Sequence, residues 1–205
     1  MKLERILSKN MELYGVEVLS TYVYKNREEF FRKLSPSHDF SLFRRHLEVL
    51  KVMGNGEVFF FLNLKPSTLI AHLKELESLL KENLRVVIEL TEEPLSKEQE
   101  RLLLEARKTL PCLICLDDFG SGASNYDRLN LLLPDFVKVD MQVVKRHAFE
   151  HVVSGLKKAL GNVKVIAEKV ETYQDYMVSR SAGVDLFQGY FFEKEELHEG
   201  QSAQA

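Results

Sequence analysis

The chain has 205 residues, 45% of them apolar and 29% charged, and a net charge of −3. That is enough for one domain with a sizeable core. It offers no basic field for long nucleic acid, no apolar run of membrane-spanning length and no export signal, so no membrane association and a cytoplasmic location are expected.

Residues 3–7 read as a short strand, which Ser8, Lys9 and Asn10 turn back into a second strand from Glu12 to about Tyr24. A tight turn makes this pair antiparallel. Charged helical stretches follow over 27–34 and 39–53, and Gly54-Asn55-Gly56 is a strong break. The apolar run 58–63 is the next strand, and Pro66 opens a helix to about Lys81. Residues 85–89 form a strand, and Ser96 to Gln99 starts a helix that runs to about Leu110. The run 112–116 after Pro111 is a buried strand, ending in Asp117, Asp118 and a turn with Gly120 and Gly122. A short helix over 124–133, a strand over 136–140, and a long helix over 142–160 stopped by Gly161-Asn162 come next. A strand over 163–167 reaches Glu168, a helix spans 172–182, and 184–187 leads into Gln188-Gly189-Tyr190.

Buried strand followed by amphipathic helix, repeated along the chain, predicts an α/β fold with a parallel sheet. Eight strands fit a (β/α)8 TIM-like barrel with one antiparallel strand at its N-terminal start. An open doubly wound sheet is the alternative, weakened because no glycine-rich loop follows the first strand. The barrel domain is expected over 1–197, with a small, polar, disordered tail from His198.

In a barrel, the C-terminal ends of the strands meet at one mouth. The ends here supply Asn63, Glu89, Asp117, Asp118, Lys138, Glu168 and Gln188, and Glu17 lies within the second strand. One such residue is explained by a strand meeting water; a succession of them, biased to acids, is not. Crowded carboxylates need a compensating cation. Oxygen ligands without His or Cys suit Mg2+ or Mn2+ rather than zinc. Two such ions activate water and neutralise charge in the in-line attack on a phosphodiester. In that reading Lys138 orients the water or balances charge, and Glu168 accepts its proton. Cys112 and Cys115 lie in the apolar strand and read as buried thiols pointing to opposite faces. His147 and His151 have zinc-helix spacing, but no Glu follows His147, and they read as a solvated helix face.

These residues together resemble the EAL family of cyclic di-GMP phosphodiesterases. Glu17-Val18-Leu19 stands at the signature triplet, and Phe61-Leu62-Asn63 resembles the metal-binding Asn segment. Segments 88–92, 117–122, 137–140, 167–171 and 188–190 follow in the family's order. The resemblance implies a barrel that hydrolyses cyclic di-GMP to the linear dinucleotide pGpG. Glu17, Asn63, Glu89, Asp117 and Asp118 would hold two ions, Mg2+ or Mn2+, with Ca2+ inhibitory. Lys138, Glu168 and Glu171 would be catalytic, and Gln188, Leu19 and Asp140 would meet the substrate. Glu92 would brace the loop from Phe119 to Asn125. A homodimer is implied, with a possible sensor or output protein in trans.

The departures are specific. Thr21 stands where the family usually carries a phosphate-gripping arginine, and Lys169 where it has a glycine. Lys65 replaces a small polar residue; it reads first as a solvated loop lysine, and alternatively strand alternation from Asn63 would turn it into the mouth as a partial substitute for that arginine. Residues 22–40 also lack the family's Gly and Pro pattern. An inactive cyclic di-GMP receptor or dimerising regulatory module is therefore a competing expectation. A Schiff-base lyase using Lys138 is a third, disfavoured because carboxylates would keep the amine protonated. Asp118-Phe119-Gly120 lacks the companion motifs of a kinase.

Overall fold

The structure, a computed structural model, describes residues 1–21, 27–53, 57–81, 85–120, 125–144 and 146–193. The expected tail from His198, the 54–56 break and residues 121–124 lie outside them. Eight strands close into a barrel in sequence order. β1 (Lys2–Ser8) runs antiparallel to both β2 (Leu13–Leu19) and β8 (Leu186–Phe187). β3 (Phe59–Leu64), β4 (Val86–Leu90), β5 (Leu113–Phe119), β6 (Phe136–Asp140) and β7 (Lys164–Glu168) are parallel in between. The TIM-like barrel with its antiparallel start is therefore observed, and the open sheet is excluded.

Among the described residues, eight helices surround it: α1 (Arg27–Lys33), α2 (Pro36–Met53), α3 (Pro66–Ala71), α4 (Leu73–Leu79), α5 (Lys97–Thr109), α6 (Asn125–Leu132), α7 (Arg146–Leu160) and α8 (Tyr173–Ser181). Their apolar stripes cover the outer barrel wall. Leu47 and Leu50 of α2 and Leu103 of α5 pack near Leu62 and Ile88, and Phe149 and Val153 of α7 near Val137 and Val165. None of the described helices is long and apolar enough to cross a membrane.

Several boundaries differ from the sequence reading. β2 stops at Leu19 because its partners run out there: Leu19 pairs with Lys2 at the start of β1. The helix expected over 66–81 is broken at His72, whose ring stacks on Phe40 at 4.2 Å in a non-helical backbone. The helix expected from Gln142 begins at Arg146. The Asp140 carboxylate accepts hydrogen bonds from the Gln142 and Val143 N–H groups, and this turn competes with helix. Cys112 precedes β5 rather than lying in it.

Inside the barrel, Ile6, Phe61, Val87, Cys115, Phe136, Ile166 and Leu186 form an apolar plug. Phe61 and Phe136 meet edge to face at 5.2 Å. Because alternate strand residues share a face, the next inward position lies two residues toward the mouth. From those seven residues it falls on Glu4, Asn63, Glu89, Asp117, Lys138, Glu168 and Gln188. The step from Gly15 of β2 reaches Glu17. An apolar layer thus closes the barrel floor, and a polar ring sits directly upon it.

Candidate functional site

Lys138 is the centre of that ring. It is 1% exposed, and its Nζ lies 2.8 Å from Glu17 Oε2, 2.8 Å from Glu89 Oε1, and 3.7 Å from both Asp117 Oδ1 and Glu168 Oε2. Glu17 is held from further sides. Asn63 Nδ2 donates to its Oε1 at 3.0 Å, and Gln188 Nε2 to its Oε2 at 2.6 Å. Burial opposes ionisation of Glu17, but the Lys138 charge and the hydrogen bonds from Lys138, Gln188 and Asn63 outweigh it and hold the carboxyl at about 2. Glu89 has the reverse balance: complete burial, with Glu17 beside it, pushes it well above the usual carboxylate range. Its contact with Lys138 is close without hydrogen-bond alignment, so both its oxygens remain without a hydrogen-bond partner. Lys138 itself loses hydration by burial, yet its four acidic neighbours keep it firmly protonated. That removes the amine nucleophile a Schiff-base lyase needs.

Asp117 and Asp118 are neighbours on β5, and simple alternation would point them apart. A bulge prevents this. Leu116 pairs with Val137 and Phe119 with Val139, so β5 carries one residue more than β6 over that interval. Asp118 takes φ 51° within it. Asp117, Asp118 and Glu168 then bring one carboxylate oxygen each to within 4.8 Å of one another. Burial raises Asp117 to about 6 against the opposing pull of Lys138. Burial likewise raises Glu168 to about 8, again opposed by Lys138. Glu168 Oε1 is buried with no hydrogen-bond partner. An all-oxygen donor set with unpartnered carboxylate oxygens fits a hard divalent cation.

A cavity of about 390 Å³ opens above the ring. Glu17, Leu19, Asp117, Asp118, Lys138, Glu168, Glu171 and Gln188 line it, while Asn63 and Glu89 support it from below through Glu17 and Lys138. Gly189 fixes one wall. At φ 151° a Cβ there would meet Val170 N and O at 2.4 Å, and this close approach lets Val170 N–H donate to Gln188 O at 3.1 Å.

Other expected residues fall elsewhere. Asp140 is 2% exposed and turned toward the chain that follows it, beneath Lys169, so it does not line the cavity. Glu92 is exposed on the loop after β4, near Arg128, and residues 121–124 of the loop it was expected to brace are not described. Neither reading of Lys65 holds: it is buried, and it does not line the cavity. Its Nζ donates to Arg32 O at 2.8 Å and Leu34 O at 2.7 Å, which ties it to the link between α1 and α2. β3 ends at Leu64 and Pro66 starts α3, so alternation does not reach Lys65. Burial raises both thiols, Cys112 to about 12, leaving them inert.

Glu4 and Lys2 line the cavity and were missed. Gln188 Nε2 donates to Glu4 Oε2 at 3.2 Å. The signal was present: β1 runs the other way, so its first residues, not its last, face the mouth.

Lys169 also lines the cavity, in left-handed backbone at φ 54°, a conformation that costs a side-chain-bearing residue roughly 1–2 kcal/mol.

Comparison with known proteins agrees with this geometry. The uncharacterized EAL-domain containing protein YkuI of Bacillus subtilis is 30% identical over 189 residues, 88% of this chain and 43% of that protein. The probable cyclic di-GMP phosphodiesterase PdeN of Escherichia coli is 30% identical over 171 residues, 77% of this chain and 33% of that protein. The chain thus spans less than half the length of these relatives. Klebsiella pneumoniae BlrP1, solved in a calcium and cyclic di-GMP complex, superposes with a TM-score of 0.77 at 26% identity, over 92% of this chain and 53% of that one. A BlrP1 manganese and cyclic di-GMP complex gives 0.76 at 27%. The EAL domain family model matches residues 9–195, and with the barrel and its acidic ring in place the chain belongs to the EAL domain family.

Proposed function

We propose that the chain hydrolyses cyclic di-GMP to pGpG with Mg2+ or Mn2+ at its mouth. One observation carries the reading: a buried lysine surrounded by four carboxylates, beneath an open cavity where three acids converge. Asp117, Asp118 and Glu168 would hold divalent ions, with Glu17, Asn63 and Glu89 completing the donor set. Such ions supply charge neutralisation and a more acidic water. The chain's own residues do the rest. Lys138 holds Glu17 ionised and supplies positive charge at the base of the cavity. Glu168, which lines the cavity, would accept the proton of the attacking water in its ionised form, or serve instead as a further metal ligand. Gln188 and Leu19 bound the substrate side, and Glu171, which accepts from Gln142 Nε2 at 2.7 Å, closes the rim. Ca2+, larger and less demanding in geometry, supports binding without turnover. A cytoplasmic homodimer, coupled to a sensor or output protein in trans, completes the proposal.

The second reading, a receptor that binds without cutting, is favoured by Thr21 and Lys169. Thr21 is exposed and neutral where the family usually carries an arginine, and Lys169 places an extra cation among the acids. Incubation with cyclic di-GMP and each metal, followed by chromatography for pGpG, separates the two. Linear product with Mg2+ or Mn2+ supports hydrolysis; retention of intact cyclic di-GMP without product selects the receptor.

A further inference from the structure

Three lysines line the acidic mouth, Lys2, Lys138 and Lys169, and of these only Lys138 belongs to the ring. Lys169 follows Glu168 at the end of β7 and reaches across to the neighbouring strand ends. Its Nζ lies 2.5 Å from Asp140 Oδ2 and 3.7 Å from Asp118 Oδ1. Asp140 is an anchor for it: the other oxygen of that buried carboxylate already accepts the Gln142 and Val143 N–H groups, so its position is fixed by backbone. Asp118 is different. It belongs to the group of three acids whose oxygens converge, and another member, Glu168, has a buried Oε1 with no hydrogen-bond partner. The lysine sits in backbone that glycine would occupy without strain, so the ion pair with Asp140 offsets a local cost.

We propose that Lys169 is a tethered cation that partly occupies the outer edge of the divalent site, drawing charge from Asp118 and weakening the ion held there by Asp117, Asp118 and Glu168. This rests on the divalent-site reading above and adds to it a residue that sets metal affinity. A fixed ammonium near a ligand carboxylate acts in two ways. It competes for the carboxylate's charge, and it repels an incoming dication. Neighbouring charges at such separations shift ionic equilibria by about 10- to 100-fold. The mouth therefore fills one site tightly and the Asp118 side weakly, and at low divalent concentration it binds a dinucleotide phosphate with one ion and one ammonium.

The test uses Mn2+ alone, with no nucleotide, measured by titration calorimetry and Mn2+ electron paramagnetic resonance on the full chain. Lys169→Gln removes the charge and keeps a side chain at the strained position. Lys169→Gly removes both charge and strain. Both variants are expected to tighten the weakest Mn2+ site about tenfold, with circular dichroism confirming the parent fold. Equal Mn2+ affinity and stoichiometry in parent and Lys169→Gln overturns the proposal. Tightening in Lys169→Gly alone also overturns it, because backbone relief rather than charge would then be the cause. Absence of Mn2+ binding in all three proteins does so too. A chain that gains Mn2+ affinity as expected yet never yields pGpG leaves this inference standing and sinks the hydrolytic reading.

Discussion

Replacing Lys138 with methionine tests the electrostatic core of the site. The substitution keeps an unbranched chain of similar length and deletes the charge. Nζ is the near partner of Glu17 and Glu89, at 2.8 Å each, and the more distant partner of Asp117 and Glu168. Breaking a buried pair from one side costs about 3–5 kcal/mol, because the remaining charge is left uncompensated. In a domain of this size each kcal/mol moves the melting temperature by roughly 2–4 °C, so a fall of about 6–20 °C is expected at pH 7.5 in EDTA. The loss has a signature that simple misfit lacks. Glu17, held at about 2 by Lys138, Gln188 and Asn63, loses its strongest support and takes up a proton more readily. The deficit relative to the parent should therefore shrink at pH 5, and Mn2+ should restore more stability to the variant than to the parent. Thermal melts followed at 222 nm, at both pH values and with and without Mn2+, measure this. A variant that melts within 2 °C of the parent at pH 7.5, or whose deficit is the same at pH 5, refutes the account.

Gly189→Ala should cost at least about 2 kcal/mol, since it combines backbone strain with overpacking of about 1–3 kcal/mol each against Val170, and it should also weaken cyclic di-GMP binding; urea titration and calorimetry check both. Thr21→Arg should raise cyclic di-GMP affinity about 10- to 100-fold if a charge-assisted phosphate contact of about 1.5–3 kcal/mol is restored, and unchanged affinity by calorimetry would count against that placement. The metal-free protein should melt highest near pH 5, around the unfolded value of 4.5 that Glu17 and Glu168 share. Glu17 is depressed on folding, so its contribution is complete above its unfolded value and is lost as pH falls toward 2. Glu168, at about 8, and Asp117, at about 6, are raised on folding, so the folded state keeps protons that the unfolded chain has shed, and stability declines as pH rises toward 8. Melts in EDTA that rise steadily from pH 5 to pH 8 would contradict this assignment.

The barrel was legible because its two periods are simple. Runs such as Val137 to Asp140 and Val165 to Glu168 announce strands buried on both faces, and the helices between them carry apolar stripes. The ring was legible because strand ends in a parallel barrel converge. What failed was local. Lys65 lies one residue past its strand, where period-two reasoning has already expired. His72 breaks a helix through a ring stack with Phe40, a contact 32 positions away that no window of sequence displays. The resemblance implied a substrate contact for Asp140, but its carboxylate is used by the backbone of the turn that follows. Glu4 was overlooked because the convergence rule was applied to C-terminal ends alone, although the hairpin itself shows that β1 runs the other way.

The two layers inside the barrel explain how a chain this short tolerates so many buried acids. Phe61, Phe136, Ile166 and their neighbours fill the floor with apolar volume, and they pack without reference to the charges above them. The ring above is separated from them by a single alternation of each strand. Its net charge is negative even with Lys138 and Lys169 present, and Glu89 and Glu168 carry oxygens with no hydrogen-bond partner. Packing therefore does not need the ring, and the ring alone opposes folding above neutral pH. A chain under selection for stability alone would replace Glu17 and Lys138 together at little cost, since removing both partners of a buried ionic contact is often neutral or stabilising. That gives a last prediction. The double variant Glu17→Gln/Lys138→Met removes the ionised carboxylate with its cation and should melt at or above the parent in EDTA, whereas Lys138→Met alone melts far below it. It should also lose the Mn2+-dependent rise in melting temperature. If the double variant instead melts as low as Lys138→Met, then the ring is part of the barrel's packing, and its separation into a stabilising floor and a chemically active rim is wrong.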